Sequence, residues 1–293
     1  MEILFKGSNQ NLELVNWLKQ FKDISNSLLI EIDVSEEKKS FIAKSFTIDN
    51  GLIKYSEIPF EKCGLELVSV TDGKKKFDVS PYRVKVGIFM ILSKFIDVIS
   101  TFSTTDYTMC VEFDKNEEDE EISFEAQSVL LKSKTLKIKV KTGNISEFSQ
   151  ISDEKFFGAI SKIDGTDSEI VSVAVTSETL KNLISISSLL SVDSSKDSME
   201  FYTFYDKEAD RWKLQVRDAV GDSYDYYLGD VTDAEKDKDY TTSFKVFRNK
   251  IIMGTKGSST ELMNMKLSCF SPDRILLTTD DEKTMTVIAG IRE

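Results

Sequence analysis

The order of strand-like and helix-like segments repeats along this chain, and the repeat constrains the fold more than any other feature. Four times a strand-like run precedes a helix-like stretch and then about three more strand-like runs, with a period of roughly 70 residues. Residue identity between the rounds is poor, so the repeat is one of pattern. The helix-like stretches read NQNLELVNWLKQFKDI, GIFMILSKFIDVISTF, TSETLKNLISISSLLSV and FKVFRNKIIMG. The pattern predicts an α+β protein in which helices pack on sheets.

Periodicity within the segments supports this interpretation. In the first helix-like stretch Leu14, Trp17, Leu18 and Phe21 recur at helical spacing, which predicts one buried face. The last round ends in two strand-like runs, Arg274 to Thr279 and Thr284 to Ile291, which flank the polar tetrapeptide DDEK. These runs predict a half-buried antiparallel hairpin.

A long segment without a clean period, GNISEFSQISDEKFFGAISKIDGTD, lies between the second and third rounds. It divides the chain into nearly equal halves, each long enough to bury a core of its own. We therefore predict a domain at 1–143, an interdomain connector at 144–168 and a second, similar domain at 169–293.

The composition argues against most catalytic and metal-binding classes. The chain has no histidine, so the commonest general base and transition-metal ligand is missing. It also lacks the glycine-rich phosphate loops and the nucleophile elbow. Cys63, Cys110 and Cys269 are far apart and without CxxC spacing. We expect no enzymatic activity, no catalytic residues, no metal and no cofactor.

The charge distribution is acidic overall, with a formal net charge of -12. Acid is concentrated in DKNEEDEE and DAEKDKD, which lie between strand-like runs and are interpreted as solvated hairpin loops. No segment has the apolar length of a membrane span, and the start MEILFKGSNQ lacks the layout of a signal peptide. We expect no membrane partner and a cytoplasmic location.

The fourfold pattern, the length, the acidity and the mid-chain connector together resemble the DNA polymerase sliding clamps. The similarity is to the two-domain subunits of the proliferating-cell nuclear antigen and T-even phage type, and it covers essentially the whole chain. It implies the DNA-clamp fold: two similar domains, each of two βαβββ units, with sheets outside and helices lining a central hole. It also implies a homotrimeric ring around duplex DNA. The weak likeness to cellular clamps suits a phage or other viral origin, with the host cytoplasm as its location.

The resemblance implies a processivity factor that encircles DNA without reading its sequence and tethers the replicative DNA polymerase. A clamp loader and further copies of the chain are the other implied partners. Helices that line the hole would offer basic side chains to phosphates. In this sequence the candidates for that role are Lys19, Lys22, Lys94, Lys181, Lys245, Arg248 and Lys250. On the second helix Asp97 lies beside Lys94, so this helix fits least well. Solvated lysines on ordinary amphipathic helices are the alternative interpretation.

The family also takes short partner peptides into an apolar pocket beside the connector and the C-terminal strand. The matching apolar residues are Ile145, Phe148, Ile151, Val287, Ala289 and Ile291. These side chains could instead close the core under a long loop. Ring closure would use the free edges of the sheets, for which TLKIKVKT and SMEFYTFYD are the candidate strands.

Three other functions remain open at this point. A monomeric processivity factor of the herpesvirus kind would hold DNA on an open basic face, but the low basic content disfavours it. A non-enzymatic β-rich viral structural protein would show the same segments without any DNA-dependent activity. A carboxylate-using hydrolase would need paired acids on a cleft, and the acids here lie in predicted loops.

Overall fold

The computed structural model describes residues 1–8, 11–35, 37–49, 51–72, 75–77, 83–88, 92–116, 123–143, 154, 156–157, 171–175, 182, 185, 198–206, 208–209, 211–217, 223–227, 242–255, 265–270, 274–279 and 283–289. The chain forms two compact units. Unit 1 comprises residues 1–45 and 55–150, and unit 2 comprises residues 46–54 and 151–293. A short piece of the first half of the sequence therefore belongs to the second unit.

The elements of the first half begin and end as follows: β1 (Glu2–Gly7), α1 (Leu12–Lys19), β2 (Leu28–Asp33), β3 (Ser40–Phe46), β4 (Leu52–Pro59), β5 (Leu65–Asp72), β6 (Lys75–Phe77), β7 (Arg83–Ile88), α2 (Leu92–Ser100), β8 (Tyr107–Asn116), β9 (Ser123–Lys132) and β10 (Lys137–Lys141). In unit 1 the strands lie in the order β4-β3-β2-β7-β9-β8-β1-β5-β6, and β10 pairs with β9. From β3 to β6 in this order, and between β10 and β9, the pairings are antiparallel except for the short contact of β7 with β9, at Lys85 and Glu125.

The core of unit 1 lies between these strands and the two helices. The predicted stripe of the first helix is confirmed, because Leu14, Trp17, Leu18 and Phe21 are all buried. Trp17 donates its indole N–H to the hydroxyl oxygen of Ser56 at 3.0 Å, so its one polar atom is satisfied. An apolar cavity of about 30 Å³ remains beside this helix. Its walls are apolar, so a water molecule there would find no hydrogen-bond partner.

The two helices of unit 1 are joined by a buried polar contact. Asn11, which precedes α1, is fully buried and donates its side-chain N–H to the carbonyl oxygen of Ile99 at 3.0 Å. Ile99 lies in the last turn of α2, and its carbonyl oxygen also accepts the backbone N–H of Phe102 at 3.0 Å. The contact with Asn11 gives this carbonyl a second donor and links the start of α1 to the end of α2.

The elements of the second half are β11 (Val171–Val175), β12 (Ser198–Asp206), β13 (Arg211–Arg217), β14 (Ser223–Tyr227), β15 (Thr242–Phe247), α3 (Arg248–Thr255), β16 (Met265–Phe270), β17 (Arg274–Thr279) and β18 (Thr284–Ala289). In unit 2 one run of strands has the order β11-β16-β17-β18, and a second sheet has the order β14-β13-β12-β15. The predicted C-terminal hairpin is confirmed, with Leu276 opposite Val287.

The segment 46–54 joins unit 2 as the turn between β3 and β4. The turn closes through the N–H of Thr47, which donates to the carbonyl oxygen of Leu52 at 2.9 Å. The N–H of Ala289, at the end of β18, donates to the carbonyl oxygen of Gly51 at 2.9 Å. The turn is thus attached to the backbone of the last strand.

Two segments differ from the sequence-based expectation. The sequence pattern predicted that the first round ends at Pro59. In the structure a further strand, β5, begins at Leu65 and pairs with β1. The fourth helix-like stretch begins as a strand, because residues through Phe247 pair with β12 and only Arg248 onward is helical. Helix and strand periods are hard to separate in short apolar runs.

Candidate nucleic-acid interface

The exposed side of α1 carries two of the predicted DNA-facing lysines. Lys19 is the last residue of the helix and Lys22 lies in the turn that follows; both are exposed, on the side away from the buried stripe. Glu13 and Asp23 are exposed on the same segment. The cationic charge of this surface is therefore balanced locally by carboxylates.

The exposed side of α2 has the same mixed character. Phe95, Ile96 and Ile99 are buried, while Lys94 and Asp97 are exposed. The sequence predicted this neighbouring pair, and the structure places both side chains in solvent. One cation and one anion three positions apart on a helix give little net field.

The structure around α3, which corresponds to the fourth helix-like stretch, contradicts two of the predicted assignments. Lys245 lies in β15 and not on a helix, while Arg248 is the first residue of α3. Lys250 lies on α3 but is only 6% exposed. The prediction that Lys250 belongs to an exposed basic face is therefore wrong, because its ammonium is used inside unit 2.

Lys250 binds the turn of segment 46–54. Its Nζ lies 2.6 Å from Oδ1 of Asp49 and 3.0 Å from the hydroxyl oxygen of Thr47. The same Asp49 oxygen accepts the hydroxyl of Thr47 at 2.5 Å and the N–H of Gly51 at 3.0 Å. These hydrogen bonds hold the pKa of the Asp49 carboxyl well below its usual range; the bond from Lys250 has the largest effect and the bond from Thr47 the next largest. We call Lys250, Asp49 and Thr47 the lysine clip.

A second buried lysine, Lys54, lies at the end of the same segment. Lys54 is 1% exposed, and its Nζ donates to the carbonyl oxygen of Gly254 in the last turn of α3 at 3.2 Å. A cation suits the negative end of a helix. Burial nevertheless lowers the pKa of Lys54 to about 7. Lys54 and Lys250 both serve packing in unit 2.

Lys181 lies outside the described residues. Its sequence neighbours Asn182 and Ser185 are helical and exposed, and Ser185 belongs to the predicted polar face of the third helix-like stretch. Lys19, Lys22 and Lys94 are therefore the predicted DNA-facing cations for which the structure describes an exposed side chain.

The predicted partner-peptide residues are described only in part. Val287 is 7% exposed and Ala289 is half-buried in β18. Ile145, Phe148, Ile151 and Ile291 lie outside the described residues. Sequence reasoning missed Phe156 and Phe157, which are helical and lie within the connector; their rings meet edge to face at 5.2 Å. Phe156 is buried and Phe157 is 39% exposed. Two adjacent aromatic residues in a polar segment were a usable signal.

Five strands pair on one side only within the part of the chain that the structure describes, namely β6, β10, β11, β14 and β15. There β10 pairs only with β9, as its proposed role as an edge requires. The prediction that β12 is the second edge is wrong, because this strand pairs with β13 on one side and with β15 on the other. The open strand next to β13 is β14.

Comparison with known proteins identifies this architecture. No protein-family model matches the sequence, and no curated protein matches it. Among solved structures, the PCNA of Thermococcus kodakaraensis matches with a TM-score of 0.59 at 12% identity, over 99% of both chains. A. fulgidus PCNA, bound to the C-terminal region of FEN-1, matches with a TM-score of 0.57 at 12% identity, again over 99% of both chains.

A bacterial structure matches with a similar TM-score over part of its length. A putative DNA polymerase III beta subunit from Eubacterium rectale has a TM-score of 0.61 at 12% identity, and the match covers 100% of this chain and 66% of that one. The chain therefore has the α+β fold of the DNA sliding clamps, as the sequence pattern predicted. More particularly, it matches PCNA chains over their full length.

Within the residues that the structure describes, no helix is long and apolar enough to cross a membrane. In the same residues, no group of three or more His, Cys, Asp or Glu side chains is arranged to hold a metal ion.

Proposed function

We propose that this chain is a DNA sliding clamp, a non-enzymatic processivity factor that encircles duplex DNA and tethers a replicative DNA polymerase. The observation that carries the proposal is the similarity of the entire chain, through both halves, to solved clamps. A ring retains DNA by topology, so it needs no base-reading helix and no catalytic group.

Lys19, Lys22 and Lys94 are proposed to face phosphates. Their exposed ammonium groups support this role, and Lys181, Lys245 and Arg248 stay predictions. Lys250 is excluded, since its ammonium is bound in the lysine clip. Carboxylates beside the exposed lysines imply weak attraction, which suits sliding.

The partners follow from the proposed function. We infer that copies of the chain associate through their open sheet edges into a ring, with three subunits as the expected number. A loader would open the ring, and a phage or other virus would use it in the host cytoplasm. A. fulgidus PCNA holds the C-terminal region of FEN-1. By analogy, we infer that apolar residues of the connector and β18 receive a short polymerase peptide.

The test combines particle mass with processive synthesis on primed circular DNA. We expect the native particle to have a mass near three chains and to lengthen the products of its polymerase. The triple variant Lys19→Glu, Lys22→Glu, Lys94→Glu should keep the particle mass and lose processivity. For each lysine that contacts phosphate, the slope of the logarithm of the DNA-binding constant against the logarithm of the salt concentration should fall in magnitude by about 0.9.

A matched control reverses three exposed lysines that lie away from the helices, Lys6, Lys38 and Lys62. This control has the same change in net charge and should remain processive. A particle of one chain that still stimulates the polymerase would favour the monomeric processivity factor. Processivity that survives in the helix variant would remove these lysines from the DNA-facing set.

A further inference from the structure

Two polar side chains, Asn11 and Tyr107, are buried as near neighbours in unit 1. Asn11 is 0% exposed and Tyr107 is 3% exposed. Within the part of the chain that the structure describes, neither Oδ1 of Asn11 nor the hydroxyl of Tyr107 has a hydrogen-bond partner. An unpaired buried polar group is costly, because it has lost its bonds to water without a replacement. Each of these two atoms therefore needs a further hydrogen-bonding group.

A short chain of contacts connects the two side chains. Nδ2 of Asn11 donates to the carbonyl oxygen of Ile99 at 3.0 Å, and the N–H of Phe102 donates to the same oxygen at 3.0 Å. The ring centroid of Phe102 lies 5.4 Å from that of Tyr107. Burial raises the pKa of Tyr107 to about 12, and the polar side chain of Asn11 partly opposes this rise. An influence on titration requires only proximity, so the two groups are close without a direct hydrogen bond of ordinary geometry.

Neither side chain is free to approach the other. Asn11 is held through Nδ2 by its bond to Ile99. Tyr107 stands opposite Gly7 in the pairing of β1 with β8, and its ring packs so tightly there that a Cβ on Gly7 would lie 2.3 Å from it. Because both side chains are fixed, a bridging molecule satisfies both polar atoms more readily than a direct bond.

We propose that one buried water molecule bridges Oδ1 of Asn11 and the hydroxyl of Tyr107. The amide oxygen only accepts, so the water donates to it, and the Tyr107 hydroxyl can donate to the water. Internal waters make about three hydrogen bonds, and the buried thiol of Cys63, which is close enough to influence Tyr107, can supply a weak third. A hard cation fits less well, since it takes about six to eight oxygen ligands with carboxylates among them, and these side chains are neutral.

The proposed water would join three elements of unit 1. Asn11 precedes α1, its amide binds the end of α2, and Tyr107 is the first residue of β8. Asn11 makes no side-chain cap bond to its own helix, so its side chain serves this junction instead. A water-mediated bond is nearly as favourable in enthalpy as a direct one. The water would be bound whether or not the chain encircles DNA.

The sign of the stability change in Tyr107→Phe distinguishes a bridged hydroxyl from an unpaired one. Removing an unpaired buried hydroxyl leaves a chain equally or more stable, whereas removing a bridged one deprives Oδ1 of Asn11 of its donor. We expect Tyr107→Phe to lower the folding equilibrium constant by about fivefold or more in urea titrations. An unchanged or raised constant would overturn the proposal.

The same substitution in an Asn11→Leu chain tests whether the two side chains act together. Asn11→Leu removes the acceptor of the proposed water along with the bond to Ile99. In that chain Tyr107→Phe should leave the folding constant unchanged or raise it, because the hydroxyl is already without its bridge. An equal loss in both chains would show that Tyr107 acts independently of Asn11, against the proposal.

Magnetic relaxation dispersion of the water oxygen nuclei detects the bound molecule itself. Wild type should hold one more long-lived internal water than Tyr107→Phe. Tyr55→Phe is the matched control: Tyr55 is also buried, but its hydroxyl donates to Oε2 of Glu57 at 3.1 Å, so its loss should keep the wild-type count. A high-resolution crystal structure should show the water about 2.8 Å from both atoms. Equal water counts in wild type and Tyr107→Phe would mean that the two side chains bond directly, and would overturn the bridging water.

Discussion

The lysine clip gives the sharpest quantitative prediction, because its two charged partners differ greatly in burial. The side chain of Lys250 is 8% exposed, whereas that of Asp49 is 58% exposed. Removing the carboxylate with Asp49→Ala leaves a buried ammonium with only the Thr47 hydroxyl, and breaking a buried pair in this way costs about 3 kcal/mol. Removing the ammonium with Lys250→Met keeps the buried stem and leaves Asp49 to water, at a cost of about 1 kcal/mol.

The assay is thermal unfolding together with hydrogen exchange of the backbone amides of segment 46–54. Each kcal/mol corresponds to a fall in Tm of about 2–4 °C for chains of 150–250 residues, so Asp49→Ala should lower Tm by about 6 °C or more and Lys250→Met by about 2–4 °C. The double variant should resemble Lys250→Met, because no ammonium is then left buried. A larger loss in Lys250→Met than in Asp49→Ala would refute this account of the clip.

The clip also predicts a direction for the effect of acid. The pKa of Asp49 is lowered in the folded chain, so its contribution to stability is complete above the ordinary carboxyl pKa of about 4. The contribution declines as the pH falls below that value toward the lowered folded pKa. The stability difference between wild type and Asp49→Ala should therefore shrink in acid.

The remaining predictions concern three other positions. The pKa of Lys54 falls to about 7 on folding, so the unfolded chain holds more protons between about pH 7 and pH 10; wild type should gain stability relative to Lys54→Met across that range, as urea titrations at several pH values would reveal. A Cβ at Gly7 would lie 2.3 Å from the buried ring of Tyr107, so Gly7→Ala should cost about 1–3 kcal/mol, and Tyr107→Leu should relieve part of the loss. Lys39 has a φ of 45°, which favours glycine, so Lys39→Gly should raise stability by about 0.5–1 kcal/mol in chemical denaturation; a loss there would show that its side chain matters more than its backbone.

The sequence predicted those features that depend on local periodicity. The buried stripe of α1 and the C-terminal hairpin could be predicted because the apolar spacing of each segment reports its own burial. The strand β5 has a similar pattern in Leu65, Leu67 and Val70, but the expected number of strands per round hid it. The turn before it ends at Gly64, whose φ of 66° marks a tight reversal after Pro59.

Features that depend on distant partners could not be predicted. Nothing around Lys250 in the sequence shows that its partner Asp49 is 201 residues away, so a basic helical residue was assigned to an exposed face. The order of strands in a sheet is equally non-local. SMEFYTFYD has the composition of an edge or of a central strand, and only its pairing with both β13 and β15 decides the matter.

The reassignment of lysines changes how the proposed clamp would retain DNA. The exposed lysines of α1 and α2 lie beside exposed Glu13, Asp23 and Asp97, so these helices offer phosphates little net charge. Electrostatic attachment to DNA needs many uncompensated phosphate contacts. A chain of this composition would therefore hold DNA through closure of the ring. In the proposed clamp, closure of the ring would keep DNA inside, while Lys19, Lys22 and Lys94 would attract its phosphates weakly enough to permit sliding.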